Sequence, residues 1–573
     1  MPPYLRPSLI VVIVVMAFSI ANTAIMPADD GNPLPASGDP IWCPVGVTPV
    51  SSTGGCSPSF GTLTRLLTWL STNDPDQPGV IWLERTYDSA GEGVGGFNLD
   101  GARYANLDNH PLTIQGGWNG LGTTSVDHSD PPVFSSDFLH IINWQAAITV
   151  NDIVINGARD IGLAVYTTGD INLSNIISNN NHTSDSLSFG AYLDNTDSDG
   201  SAVVNLRGSN VFNGNDAGLS ILSRGNVMLN DVTANNNGLE VTSRWLGGYG
   251  AGIDNTFGAG SVTMTGTNQF NDNQGPGLMV DSRGAITIET IAASRNEYWG
   301  AWLRNDYGTG DVILKYENAF IDNGENGLRV FSNGRISLNY LTVDGNGDSG
   351  YWEYYRDGVD LITPANTSVT CSTISRQAGY GIDASGVMGS LTLSRVTFVD
   401  NTSGEYSYGG LPVISSEGCG RLPLRVMAIA HDSIIALDCF QFDGTEVTLP
   451  DGRRIVFGCP TLGEAGIRFE KLDPLPAPLP DGISLVSALD LSLKEGGIEQ
   501  EITSGPVTIS FVIPEEIKGA DLAILYWDGK QWINLDGAIF DDGRKVIKPP
   551  FNTDNGYFEA QVNFIGTFVL VKK

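Results

Sequence analysis

The sequence predicts an all-β chain of 573 residues, a solenoid of short coiling strands followed by a small antiparallel β-sandwich. Three observations predict it. One grammar recurs: a short apolar strand, a corner, a second apolar strand, then asparagine. It appears as NDNQGPGLMVDSRGAITIETIAASRN from Asn271, GNDAGLSILSRGNVMLNDVTANNN from Gly214, DNGENGLRVFSNGRISLNYLTVDGN from Asp322 and, more loosely, GARDIGLAVYTTGDINLSNIISNNN from Gly157. Next, apolar residues alternate over only a few positions, as in Leu278, Val280, then Ile286, Ile288. That period excludes helices, and the regular Asn-Gly or Asp-Gly turns that a series of hairpins needs are missing. Finally, 70 glycines and 17% charged residues shift the composition towards turns and uncharged polar surface. A coil that returns above itself after each set of strands satisfies all three.

At the N-terminus, MPPYLRPSLIVVIVVMAFSIANTA carries Arg6, an apolar run from Ser8 to Ile20 and small residues at Ala21 and Ala24. The run is shorter than the ~20 residues of a membrane-spanning helix and fits a secretory signal peptide over residues 1–24. Its removal takes Arg6 and leaves 30 cations against 64 acids, a net charge of −34. Such a charge disfavours nucleic acid and anionic lipid surfaces and favours cations. All six cysteines follow the cleavage point, which in an exported chain favours disulfides. Proximity in sequence pairs Cys43 with Cys56 and Cys439 with Cys459, leaving Cys371 with Cys419, one of fifteen pairings. Within residues 25–110, GTLTRLLTWLS from Gly61 reads as a short amphipathic helix and VIWLERTYDS from Val80 as a first strand and bend.

The coils occupy residues 111–425, opening at LTIQGGWNG from Leu112. Aligned on their Gly-Leu pairs, the repeats place Gly162, Gly218, Gly277 and Gly327 in register, at intervals of 56, 59 and 50 residues. Between them stands a second type of unit, GAYLDNTDSDG from Gly190, GAGIDNTFGAG from Gly250 and GAWLRNDYGTG from Gly300, so each interval holds two turns. Asn180, Asn236, Asn296 and Asn346 fall at matching corners, where coils roughly 4.8 Å apart let amides hydrogen-bond along the axis. These features resemble the right-handed parallel β-helix of the pectin-lyase-like superfamily, over about residues 60–425. The resemblance implies that the helix from Gly61 caps the first coil, since a solenoid end otherwise exposes its interior. It implies a fold without implying a reaction.

Residues 426–481 form a disulfide-containing connector with the proline-rich stretch PLPAPLPDG from Pro474. In residues 482–573, VTISFVIP, LAILYWDGKQWINL and YFEAQVNFIGTFVLV alternate apolar and polar residues, with a hairpin turn at Asp528-Gly529. This suits a β-sandwich similar to accessory domains of bacterial surface and secreted proteins, and nothing in it carries chemistry.

No catalytic signature is complete. The superfamily's polygalacturonases carry N-T-D, D-D, G-H-G and R-I-K in that order. Asn195-Thr196-Asp197 is the match inside the coils, Asp29-Asp30 and Asp541-Asp542 lie outside, and the other two motifs are absent. Asp194 and Asp254 occupy equivalent positions two coils apart, with Arg304 in the third copy; this is a solvated face or the start of a carboxylate pair. A lyase's proton acceptor rests on position alone, at Arg304, Arg244 or Arg356. NTDSDG offers Asn195, Asp197 and Asp199, and DGNGDSG offers Asp344, Asn346 and Asp348, as alternating oxygen donors for calcium; neither has the closing glutamate, and ordinary turns have the same composition.

Aromatic residues gather in the loops that lead into the second-type coils: Trp245 and Tyr249; Tyr298, Trp299 and Trp302; and Tyr351, Trp352, Tyr354 and Tyr355. Stacked up one side of a solenoid, such rings form a platform for sugars; folded inward, they cover the coil interior. The sequence therefore predicts a secreted or cell-surface carbohydrate-binding or adhesin-like module, with a polysaccharide lyase or glycoside hydrolase as the rival. The expected partner is an extracellular glycan or cell-surface component, with calcium as the one cofactor in view.

Overall fold

A computed structural model describes residues 40–183, 188–238, 247–348, 356–415, 424–427, 433–437, 444–449, 453–458, 463–468, 475–480, 482–495, 498–514, 517–540, 542–553 and 556–573. The leader at residues 1–24 and Cys419, Cys439 and Cys459 lie outside these.

The alternating runs become parallel strands. Each coil gives one strand to a 12-stranded sheet, parallel throughout, that runs from Gly96–Asp100 to Gly404–Tyr408. The rest of each coil joins a 21-stranded sheet that folds around a bend, taken by left-handed residues such as Asp152 (φ 55°) and Asn175 (φ 55°). Leu219 pairs with Ala251 and Ala251 with Leu278, while Val227 pairs with Val262 and Val262 with Ile286. Equivalent repeats are thus two turns apart, with a second-type coil between. Their inward side chains form one cluster from Trp42 to Leu393. The chain is a parallel β-helix.

Helix Leu63–Asn73 buries Leu63, Leu66, Leu67 and Leu70 in that same cluster. Thr62 caps its N-terminus by accepting from the Arg65 amide, and the Glu92 carboxylate accepts from the Leu63 and Thr64 amides at 2.7 and 3.0 Å. A negative charge there complements the positive end of the helix. Parallel stacking begins at strand Gly79–Glu84, which pairs with Leu112–Trp118, one coil earlier than the sequence suggested. Cys43 and Cys56 form a disulfide, and Cys371 is also disulfide-bonded.

One corner of the stack is held by a buried amide ladder. The Asn237 side-chain amide donates to the Asn273 oxygen at 2.9 Å, Asn273 to Asn296 at 3.0 Å, Asn296 to Asn323 at 3.0 Å, and Asn323 to Asn346 at 2.9 Å. Asn181 likewise donates to Asn215, and Asn346 to Gln377. Asn296 and Asn346 are rungs as expected, whereas Asn180 and Asn236 stand one residue before the rungs Asn181 and Asn237. They hold the left-handed corner itself, at φ 55° and 56°, a conformation asparagine tolerates better than most residues. Packed against the ladder, Gly218, Gly250, Gly277 and Gly300 have no room for a Cβ: at Gly277 it would lie 2.6 Å from the Gly300 oxygen and 2.6 Å from the Asn296 amide nitrogen. The recurring Gly-Leu and Gly-Ala pairs record this close approach.

From Leu424 onward the strands form two further sheets, of six and seven strands. Phe457, Ile509, Val562 and Phe564 from one and Leu489, Leu491, Ile524 and Phe568 from the other share a single core, as the layers of a sandwich do. Strands at Arg454–Gly458 and Gly463–Arg468, read from sequence as part of a connector, pair into these sheets.

Candidate functional site

Because strand residues alternate, each second residue of the 12-stranded sheet points away from the core, and parallel register lines these residues into columns. One column runs Tyr166, Asp194, Leu222, Asp254, Asp281, Arg304, Phe331. Its neighbour runs Tyr192, Ser220, Gly252, Met279, Trp302, Arg329, Asp360, Asp383. Asp194 and Asp254 are two coils apart, as the repeats required. The sequence comparison missed Asp281, which lies between Asp254 and Arg304 on the intervening coil, and it also missed Arg329, Asp360 and Asp383.

Two groups of charges stand on this face. In the first, Arg304 bonds Asp306 at 2.8 Å and lies 4.3 Å from the Tyr307 ring centroid. Asp254 accepts from the Thr256 hydroxyl and amide, which fixes its carboxylate. Burial pushes the Asp281 carboxyl up to about 6, with Arg304 opposing the shift and Asp254 and Asp306 adding to it. In the second, Arg329 pairs with Asp360 at 2.9 Å and lies over the rings of Phe331 (4.7 Å) and Trp302 (5.6 Å). Burial raises Asp360 to about 6 against the pull of Arg329 and with the push of Asp383. Burial also raises Asp357 to about 7; the Tyr380 amide, donating to it at 2.7 Å, works the other way. Glu325, in the loop entering strand Leu328–Ser332, is 1% exposed with no hydrogen-bond partner for either carboxylate oxygen, and burial lifts it to about 7.

The aromatic residues divide. Trp302 projects from the face, while Trp299 is buried and meets it edge-to-face at 4.5 Å; Tyr298 lies 6.4 Å from Trp299. Tyr249, half-buried, packs 6.3 Å from Phe189, which meets Tyr192 at 5.5 Å. Trp245, Tyr351, Trp352, Tyr354 and Tyr355 lie outside the described residues, as does Arg244. Trp302 is half-buried on the outward side of its strand and Trp299 is covered beneath it, so among the described residues these rings form a local cluster and not a row up the face.

The residues proposed for calcium do not converge. Asn195 is buried, with neither side-chain polar atom bonded, while Asp197 and Asp199 are exposed beside Asp170 around a shallow hollow of about 430 Å³. The Asp199 carboxylate is occupied by the Ser201 hydroxyl and amide. In the second loop Asp344 pairs with Arg376, Asn346 is a ladder rung, and Asp348 is exposed. Among the described residues no three acidic, histidine or cysteine side chains are grouped to hold a metal ion.

Residues 249–418 match the family model described as right handed beta helix region. That segment includes both charge groups. Among solved structures, the chain is similar to the A-modules of the mannuronan C-5 epimerases AlgE4 and AlgE6 of Azotobacter vinelandii. The first is 15% identical, over 60% of this chain and 90% of that one, with a TM-score of 0.35; the second is 16% identical, over 59% and 88%, with a TM-score of 0.36. A tailspike protein double mutant of E. coli bacteriophage HK620 is 11% identical over 92% of this chain and 91% of its own, with a TM-score of 0.20. No curated protein matches the sequence.

Proposed function

We propose that the protein binds an extracellular glycan along the outer face of the 12-stranded sheet. The observation that carries this reading is the convergence, on adjacent coils of one face, of the Trp302 and Phe331 rings with the charged rows Asp254-Asp281-Arg304 and Arg329-Asp360. Flat apolar rings match sugar faces, and carboxylates and guanidinium groups at coil spacing hydrogen-bond hydroxyls of successive residues. Export is supported by the leader-like N-terminus and the Cys43–Cys56 disulfide. No helix of the described residues is long and apolar enough to cross a membrane.

The test is a panel of immobilised polysaccharides probed with the intact chain and with Trp302→Ala and Phe331→Ala together. Binding by the parent and loss of about tenfold or more in the double variant supports the face. Undiminished binding places the site elsewhere.

A second reading, cleavage of the bound glycan, is favoured by Asp281. A carboxyl raised to about 6 beside an arginine and a fixed carboxylate holds its proton closer to neutral pH than a solvated aspartate does, as general-acid catalysis requires. Release of reducing or unsaturated ends that disappears in Asp281→Asn would establish it.

A further inference from the structure

Resting on the proposed binding face, we infer that the preferred glycan is cationic, an amino-sugar polymer with free ammonium groups seated against the carboxylates around Arg329. Arg329 opposes the raised carboxyls of Glu325, Asp357 and Asp360, while Asp383 adds to the negative field at Asp357 and Asp360. That arginine is already paired with Asp360 at 2.9 Å. A uronate brought to this group adds a negative charge where burial and neighbouring acids already hold carboxyls in their protonated form; an ammonium favours their ionised form and is attracted by it.

Glu325 points to the same kind of ligand. It is withdrawn from water with neither oxygen hydrogen-bonded, an arrangement that costs free energy unless something else compensates it. A carboxylate in that state attracts a cation through protein rather than through water, where the interaction is strongest. Among the described residues no three acidic, histidine or cysteine side chains are grouped to hold a metal ion, and Asp360 and Asp383 stand on successive coils. Spread acids beside a ring suit positive charges carried at intervals on a chain. Arg329 over Trp302 and Phe331 shows that these rings accept a cation at their faces.

The experiment compares three soluble probes on the intact protein by calorimetry: a β-1,4-glucosamine hexamer, its fully N-acetylated counterpart, and an oligogalacturonate of similar length. The inference expects the free amine to bind about tenfold or more tightly than the acetylated form, the uronate to bind least, and the preference to shrink with added salt. Glu325→Gln removes the charge without removing any hydrogen bond the folded chain makes, so the variant should fold; it should lose most of that preference while retaining binding of the acetylated hexamer. Asp383→Asn provides an independent second variant, and melting curves confirm that both are folded. Equal binding of amine and acetylated forms, or tighter binding of the uronate, overturns the charge inference and leaves the binding face standing. Failure of all three to bind overturns the charge inference, and the binding face then stands or falls on the polysaccharide panel.

Discussion

Two rows of polar side chains climb this solenoid at coil spacing, and they differ in how well their members are partnered. In the amide ladder each of Asn273, Asn296 and Asn323 gives and receives hydrogen bonds: Asn296 donates to Asn323 and to the Phe270 carbonyl, and accepts from the Asn273 side chain and backbone amide. Beside the outer face, neither carboxylate oxygen of Glu325 has a hydrogen-bond partner among the described residues, and Arg329, paired with Asp360, is also the arginine that opposes the raised carboxyls of Glu325 and Asp357. Both rows are buried or half-buried. The satisfied amides are part of what holds coils in register, whereas a carboxyl such as that of Glu325 is held in place by the fold at a cost to stability.

The comparison can be broken most severely from the interior. Ile288→Asp places an unpaired carboxylate in the continuous core and is expected to cost about 4–5 kcal/mol or more, seen as loss of the β-type circular dichroism at room temperature or a collapse of the melting temperature. Asn296→Ala comes next. It takes the Asn296 contact from the Phe270 carbonyl and the Asn273 backbone amide, while the Asn323 oxygen keeps the backbone amide of residue 296 and the Asn273 side chain keeps the Ala234 carbonyl, and the expected loss is about 2 kcal/mol in thermal melts.

The buried acids in the loops beside the outer face should respond in the opposite direction. Glu325 and Asp357 have folded-state pKa values near 7, above those of the unfolded chain. The folded state therefore binds more protons between about pH 4 and 7, and these two groups contribute stability at low pH that is lost as pH rises through 7. Glu325→Gln should raise stability at pH 8 by roughly 1–2 kcal/mol and change little near pH 4, so that the melting temperatures of parent and variant converge as the solution is acidified. A constant offset at every pH would show that the carboxyl does not titrate as proposed. The smallest effect is expected at the surface: Arg295→Ala breaks the exposed pair with Asp272 and should cost less than about 1 kcal/mol, largely abolished in high salt.

The coil architecture was legible because it is written redundantly. Leu278, Val280, Ile286 and Ile288 stack two turns above Leu219, Ile221, Val227 and Leu229, as the repeat spacing required. Ladder assignments slipped by one residue at Asn180 and Asn236 because adjacent asparagines are equivalent in sequence, and only the backbone decides which holds the left-handed corner. The outer face was half legible. Copies of the second-type unit align Asp194, Asp254 and Arg304, but Tyr166, Leu222, Asp281 and Phe331 belong to the other unit type, and the column appears only when the two are interleaved. Glu325 gave no signal at all, since its isolation comes from neighbouring coils and not from its own surroundings in the chain. Trp299 and Trp302 look alike in EYWGAW, yet strand alternation turns Trp302 outward while the residue before Gly300 is covered.

The amide ladder also has a direction. In each of the links from Asn237 to Gln377 the side-chain nitrogen belongs to the earlier coil and the oxygen to the later one. The stack is thus a polar filament whose amide dipoles add along its axis, with oxygen always offered back toward the N-terminal end. Each rung nitrogen has one partner on the coil that follows and, at Asn273, Asn296, Asn323 and Asn346, a second on a backbone carbonyl of the coil before, so every such side chain ties its own turn to the turns on both sides of it.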